Sequence, residues 1–249
     1  VVFRRSQRRD AEPRALGGLE DARTLPDLVS QSDMILSICP PANALDIARE
    51  VASLGFGGTY VDGNAVSPAT TRVIGDVVAD GGARYVDGGI IGPPPRKSGT
   101  TRLYLSGRGA RDVVALFSGS NLEAIPLDGP IGTASAMKVA YASWTKGSQA
   151  LILAVRAFAM HEGVDDALLE EWARSQPDLA KRSEDAVASD VKKAWRFVGE
   201  MKEIAASFDA VGLPDEFHQA CAEIYRRLAD WKDTPTPPSV TEVAKTLAP

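Results

Sequence analysis

Apolar residues follow two rhythms along the chain. In the first half they gather in short runs separated by amphipathic stretches. Met34-Ile-Leu-Ser-Ile-Cys39 is one such run, stopped by Pro40-Pro41, and predicts a buried strand with Cys39 in the core. Leu45, Ala48, Val51 and Leu54 then recur at helical spacing over 42–54. Thr59-Tyr-Val-Asp62 predicts the next strand. Ser67 caps the helix that follows, with Pro68 at its first position and Gly81-Gly82 at its end. Further strands are expected at Arg84-Tyr-Val-Asp87, Leu103-Tyr-Leu-Ser106 and Leu122 to Pro126, with a helix over 110–117 between the last two. Repeated strand–helix–strand units of this kind predict a Rossmann-type doubly wound α/β sheet.

From Ala134 the rhythm becomes wholly helical. The longest pattern follows Gly132-Thr-Ala-Ser-Ala-Met-Lys138 and runs to Glu162, where Gly163 stops it. It is apolar on most faces, which predicts a buried helix. Asp165 is placed to cap a second helix carrying Leu168, Leu169 and Trp172. Others are expected over 178–189, 194–211 and 215–231. Thr234-Pro-Thr-Pro-Pro238 reads as a poorly ordered extension. The change of rhythm near Gly129 divides the chain into a nucleotide-fold domain, 1–129, and an all-helical domain, 130–249, suited to substrate binding and dimerisation.

Composition narrows the partners. A net charge of −5 gives no electrostatic reason to expect nucleic acid. No apolar run reaches the ~20 residues of a membrane span, so a cytoplasmic protein is expected. Two cysteines, Cys39 and Cys221, have neither disulfide nor zinc spacing, and no metal is expected. His161 and His218 fall in helical stretches and read as structural or surface residues.

The candidate chemistry centres on Lys138. Lys138, Tyr141, Ala142 and Thr145 share one helical face. An ammonium on a largely buried helix is costly unless paired or used. Two readings stand at this point: a lysine that snorkels to solvent, or a working acid/base. Earlier in the chain, Val1-Val2-Phe3 reads as the end of a buried strand, followed by Arg4-Arg5-Ser6. At the end of the second strand of a dinucleotide fold, a carboxylate selects NAD and an arginine accommodates the 2′-phosphate of NADP. Local sequence leaves this reading level with that of a solvated basic loop. The glycine fingerprint of such a fold lies ~20 residues upstream of that position, where this chain has no room for it. The chain is therefore expected to begin inside its domain, without the first β-α unit, and by itself to bind NADPH poorly.

The order of these pieces resembles the β-hydroxyacid dehydrogenase superfamily, relatives of 6-phosphogluconate dehydrogenase, over nearly the whole chain. Arg4-Arg5-Ser6 is similar to its NADP-reading element. Ile38-Cys-Pro-Pro41 resembles its proline loop at the cofactor. Asp62-Gly-Asn64-Ala65-Val-Ser-Pro68 resembles the segment beside the nicotinamide. Asp87-Gly-Gly-Ile90-Ile91-Gly92-Pro93 resembles the substrate loop, and Gly132-Thr-Ala-Ser-Ala-Met-Lys138 the catalytic lysine motif. The finer motifs look closest to a poorly characterised phosphogluconate-dehydrogenase-like branch; they include Lys138-Val-Ala-Tyr-Ala-Ser-Trp-Thr-Lys146 and Trp195-Arg-Phe-Val-Gly-Glu-Met201.

The resemblance implies an NADP-dependent, rather than NAD-dependent, oxidoreductase of a small hydroxy or keto compound. Lys138 would be the acid/base. Arg4, Arg5, Ser6, Cys39, Pro40, Pro41, Asn64 and Ala65 would hold the cofactor. Ile90, Ile91, Gly92, Tyr141 and Thr145 would line the substrate site. A homodimer through the helical domain is implied as well. Ile91 stands where the family has a serine, Ala142 where it has an asparagine, and Asn64-Ala65 where it has Ser-Thr. These departures motivate an alternative, a non-catalytic nucleotide-binding or interaction module of the same fold.

Overall fold

A computed structural model describes residues 21–248. It forms two compact units, one up to Met137 and one from Lys138. Val1-Val2-Phe3 and Arg4-Arg5-Ser6 lie outside the described residues.

Among the described residues the first unit holds a five-stranded sheet in the order β1-β2-β3-β4-β5. Its strands are β1 (Met34–Ser37), β2 (Thr59–Asp62), β3 (Arg84–Ile91), β4 (Thr101–Ser106) and β5 (Leu122–Pro126), with helices α1 (Leu25–Ser30), α2 (Pro41–Ser53), α3 (Pro68–Asp80) and α4 (Ala110–Leu116). β1, β2 and β3 are parallel, β3 and β4 antiparallel, and β4 and β5 parallel. Strand alternation sorts the core. Ile35, Tyr60 and Tyr85 pack with Leu25 of α1, Ala48 of α2 and Ile74 of α3. Their neighbours Val61 and Val86 join Leu103, Leu105 and Val113 of α4 in a separate cluster. The period of two thus clothes both faces with helices, and the doubly wound expectation holds.

Three local expectations change. β1 ends at Ser37, so Ile38 is exposed and Cys39 is half-buried, outside the strand rather than in its core. The helix expected from residue 42 starts one residue earlier: Pro40 is the N-cap of α2 and Pro41 its first residue, a position that needs no N–H donor. β3 continues through Gly88-Gly89 to Ile91, where a loop was expected. Antiparallel pairing with β4, from Asp87↔Ser106 to Ile91↔Arg102, overrides the weak strand preference of glycine. A Cβ at Gly88 would stand 2.7 Å from the Asp62 carbonyl oxygen, so the close approach of β2 and β3 requires glycine there.

α5 (Thr133–His161) starts in the first unit and continues into the second. The second unit adds α6 (Asp165–Ser175), α7 (Leu179–Asp190), α8 (Ala194–Asp209), α9 (Glu216–Arg227) and α10 (Val240–Leu247). Leu153, Met201, Tyr225 and Leu228 are fully buried in its core. Asp165 is not a cap, because its carboxylate takes both arms of the buried Arg156 guanidinium at 2.7 and 2.9 Å. This bidentate pairing, with Ser183 on the third nitrogen, satisfies a charge that would otherwise be costly. His218 is buried against Phe208 and Phe217, and burial lowers its pKa; His161 is exposed at the end of α5. Both match the structural reading.

Two further corrections fall in this unit. Residues 234–238 are not a terminal extension. Lys192 donates to the Pro235 carbonyl, and α10 follows, burying Val243, Ala244 and Leu247. Its capping box, Ser239 with Glu242, was legible in the sequence. Nor is α5 buried all round. Tyr141, Trp144, Leu151 and Phe158 are exposed, with Trp144 at 68% and Phe158 at 65%.

Candidate active site

At the carboxyl ends of β1 and β2 two loops are tied together by one side chain. Asn64 accepts from the Cys39 amide at 2.6 Å and donates to Ser37 Oγ at 3.1 Å. Its own amide donates to Asp62 Oδ1 at 2.9 Å. Asn64 is buried, so it acts here as a bracket that fixes the Cys39-Pro40-Pro41 backbone. Ala65 is half-buried beside it. Ile38 and Pro40 stand exposed at this edge, the end of an open α/β sheet where ligands bind. The Cys39 thiol is pushed up chiefly by burial and then by Asp62, which keeps it in the neutral, inert form.

Asp62, at the end of β2, and Asp87, its partner in the middle of β3, carry no role in the motifs read from the sequence. Asp87 is fully buried. Its Oδ2 accepts from the amides of Gly132, Ala134 and Ser135 at 2.9, 2.9 and 3.1 Å, and from Ser106 Oγ at 2.8 Å. Its Oδ1 accepts from Ser135 Oγ at 2.6 Å. One carboxylate therefore satisfies donors that the first turn of α5 cannot satisfy itself. The Tyr85 and Thr71 hydroxyls, 2.5 Å apart, connect Asp87 to Asp62. Burial pushes Asp62 up to about 6; the Asn64 amide opposes this and the Asp87 charge adds to it.

This gives a signed pH prediction. A carboxyl raised in the fold contributes stability below its unfolded value of 3.8, and that contribution is lost as pH rises through about 6. Asp62→Asn should therefore flatten the fall in unfolding free energy between these two pH values, measured by urea titration. An unchanged pH slope would show that Asp62 is not the group responsible.

Along the substrate-loop segment, Ile90 is half-buried, Ile91 is 2% exposed and Gly92 is exposed with φ +122°. A cleft of about 450 Å³ lined by Val29, Asp33, Phe56 and Gly58 lies at the amino ends of β1 and β2, the wrong end of the sheet for a dinucleotide.

In the second unit, Lys138 is half-buried on α5. Burial is the main cause that lowers its pKa to about 8; Lys146 and Arg196 lower it further, and Glu200 raises it. Ala142 is buried in the helical core. Tyr141 is 45% exposed, and the Thr145 hydroxyl donates to the Tyr141 carbonyl at 3.1 Å. Lys146, Arg196 and Glu200, which act on the Lys138 charge, were not singled out from the sequence. The signals in the chain are weak: Lys146 lies two turns beyond Lys138, and Arg196 and Glu200 lie in the Trp195–Met201 motif. Among the described residues no group of His, Cys, Asp or Glu is arranged to hold a metal, and no helix is long and apolar enough to cross a membrane.

A mostly parallel sheet followed by a helical domain that opens on a long helix defines a dinucleotide-fold architecture with a helical partner domain. Known proteins with this order agree. Residues 159–228 match a family model described as a domain of unknown function, DUF1932. An uncharacterised 28.5 kDa protein of Methanothermus fervidus, from the 5′ region of its 7S RNA, is 33% identical over 154 residues. That match covers 61% of this chain and 58% of the relative. The structure of the conserved protein MTH1747, of unknown function and described as similar to 3-hydroxyacid dehydrogenases, is 26% identical. It aligns with a TM-score of 0.64 over 88% of this chain and 85% of its own. The 3-hydroxyisobutyrate dehydrogenase of Mycobacterium tuberculosis, solved with L-serine, shares the fold at 15% identity. Its TM-score is 0.66 over 96% of this chain and 89% of its own. The chain thus shares the fold of the 3-hydroxyacid dehydrogenases.

Proposed function

We propose that the protein is an NADP-dependent oxidoreductase acting on a small hydroxy or keto compound, with Lys138 as general acid/base. The observation that carries this reading is the environment of Lys138: a half-buried ammonium whose pKa is brought down to about 8, within reach of neutral pH. A group so poised can give up and recover a proton near working pH. In carbonyl reduction it stabilises the charge developing on oxygen and delivers the proton. In the reverse direction its neutral form removes the hydroxyl proton.

The sheet edge supports the cofactor reading. Asn64 holds the Cys39 backbone rigid. The exposed Ile38 and Pro40 offer an apolar ledge, and Asp62 is turned into the protein rather than toward an incoming phosphate. Cys39, Pro40, Pro41, Asn64 and Ala65 would hold the nucleotide here, and Arg4, Arg5 and Ser6 would read its 2′-phosphate. When bound, the cofactor supplies hydride; this chain's residues orient the substrate and manage the proton. Tyr141 and Thr145 would orient it from the face of Lys138.

The exposed stripe Tyr141, Trp144, Leu151 and Phe158 recurs at intervals of three, seven and seven residues. That is the spacing of a helix–helix seam, and it supports a homodimer through the helical domain.

A non-catalytic module is favoured by one specific observation. Ile91 and Ala142, at positions where the family is polar, are both absorbed into cores. Calorimetry with NADPH, followed by turnover on panels of keto acids and aldehydes, separates the two. Binding with turnover supports the enzyme. Binding without turnover on any substrate supports the module, and failure of the protein that carries this chain to bind NADPH removes both.

A further inference from the structure

Lys138 does not sit among neutral neighbours. α5 places Lys138, Ala142 and Lys146 at successive four-residue steps, and α8 places Arg196 and Glu200 at the same interval. Lys146 Nζ lies 2.7 Å from Glu200 Oε2, with side-chain exposures of only 13% and 14%. The same ammonium stands 5.0 Å from the centre of the Phe197 ring. The Tyr225 hydroxyl, from α9, donates to the Lys146 carbonyl at 2.8 Å and holds that turn of α5 in place. A nearly dry ion pair is therefore fixed by a carboxylate, a ring face and a backbone bond.

Such pairs are costly to desolvate and are weak contributors to stability. A pair of that kind beside a candidate acid/base invites a functional account. Resting on the oxidoreductase reading, we propose that Lys146 and Glu200 form a positioning pair that sets the protonation of Lys138. Neither residue touches the reacting atoms. They act through the charge they present to Lys138, in place of a polar side chain at position 142.

The sign of each effect is opposite. Lys146 disfavours the Lys138 ammonium and Glu200 favours it. The other charged groups in this neighbourhood are Arg196 on α8, which acts with Lys146, and Asp190 on α7. Burial raises Asp190, which is opposed by Lys193 and Lys146. Tyr225 faces the pair from α9, and burial keeps it neutral.

The test is the titration of Lys138 itself. Carbon-13 NMR of ε-labelled lysine, with Lys138→Arg to assign the signal, reads it without cofactor or substrate. Lys146→Met should move the Lys138 midpoint up by about one pH unit, and Glu200→Gln should move it down by a similar amount. The double variant should return close to the starting value, and Lys146→Arg should keep it. Thermal melts on the same samples identify any variant that has unfolded, and the double and Arg variants keep the test open in that case. The pH limb of carbonyl reduction should follow the same order.

Opposite shifts in both readouts support the pairing. An unmoved Lys138 titration in folded variants overturns the inference and leaves the oxidoreductase reading standing. A titration that shifts as expected in a protein that reduces no carbonyl overturns the oxidoreductase reading, and the catalytic meaning of the pair with it.

Discussion

Replacing Lys138 with alanine is expected to lower carbonyl reduction by about 10²- to 10⁴-fold, the range that a positioned acid or base contributes. The loss should fall on kcat, with NADPH affinity little changed, because Lys138 is not among the residues expected to hold the nucleotide. Reduction needs the ammonium and oxidation the neutral amine. With a pKa near 8, reduction should hold below pH 8 and decline above it, while oxidation rises over the same interval. Both limbs should vanish in the variant. A stability signature follows from the same shift. Lys138 is lowered in the fold from 10.5 to about 8, so the unfolded chain binds the extra proton between those values and stability rises with pH across them. Lys138→Met should flatten that rise in urea titrations. Steady-state rates from pH 6 to 10 and the matching unfolding series check the two halves separately. A variant with undiminished kcat would end the acid/base assignment, whatever the stability curve does.

Asp87→Ala is expected to give the largest loss of stability, at least about 4 kcal/mol. The carboxylate is the common acceptor for three backbone amides at the start of α5 and for the hydroxyls of Ser106 and Ser135. Each orphaned buried donor costs about 1–3 kcal/mol, and the fully buried site leaves little room for water to substitute. Asp87→Asn keeps one oxygen for the amides and should lose less. Guanidinium unfolding at pH 7 measures both. Equal, small losses would mean that the helix start finds other acceptors and that the Asp87 cluster is not its anchor. Because α5 carries Lys138 one turn beyond Ala134, the Asn variant should also disturb turnover more than cofactor binding.

Much of the fold was legible in the chain. β2 and β5 fall where the apolar runs and their flanking turns put them. Ser67-Pro68 starts α3 as capping chemistry requires, and Gly163 follows α5 with φ +70°. The candidate site was legible in part. Lys138 stood out because an ammonium on an apolar helix is costly. Asn64 was singled out as a cofactor contact, and the fold gives it a bracketing role as well, through bonds to Ser37 and Cys39. Glu200 and Lys146 carried no signal strong enough to single them out, because nothing local says that residues 54 apart in the chain will meet at 2.7 Å.

By itself the sequence determined the period of each element, its caps and breaks, and hence the change from a strand-and-helix half to a helical half. Those features depend on neighbours a few residues away, where spacing dictates contact. Only the tertiary structure decided that Gly88-Gly89 continue a strand, that α5 keeps an apolar stripe exposed, that Asp87 anchors a helix 45 residues onward, and that Lys146 and Glu200 meet as a nearly dry ion pair. Each of these depends on which distant donors, acceptors and charges share a water-poor space. Desolvation and pairing are properties of that space, not of the order of residues along the chain.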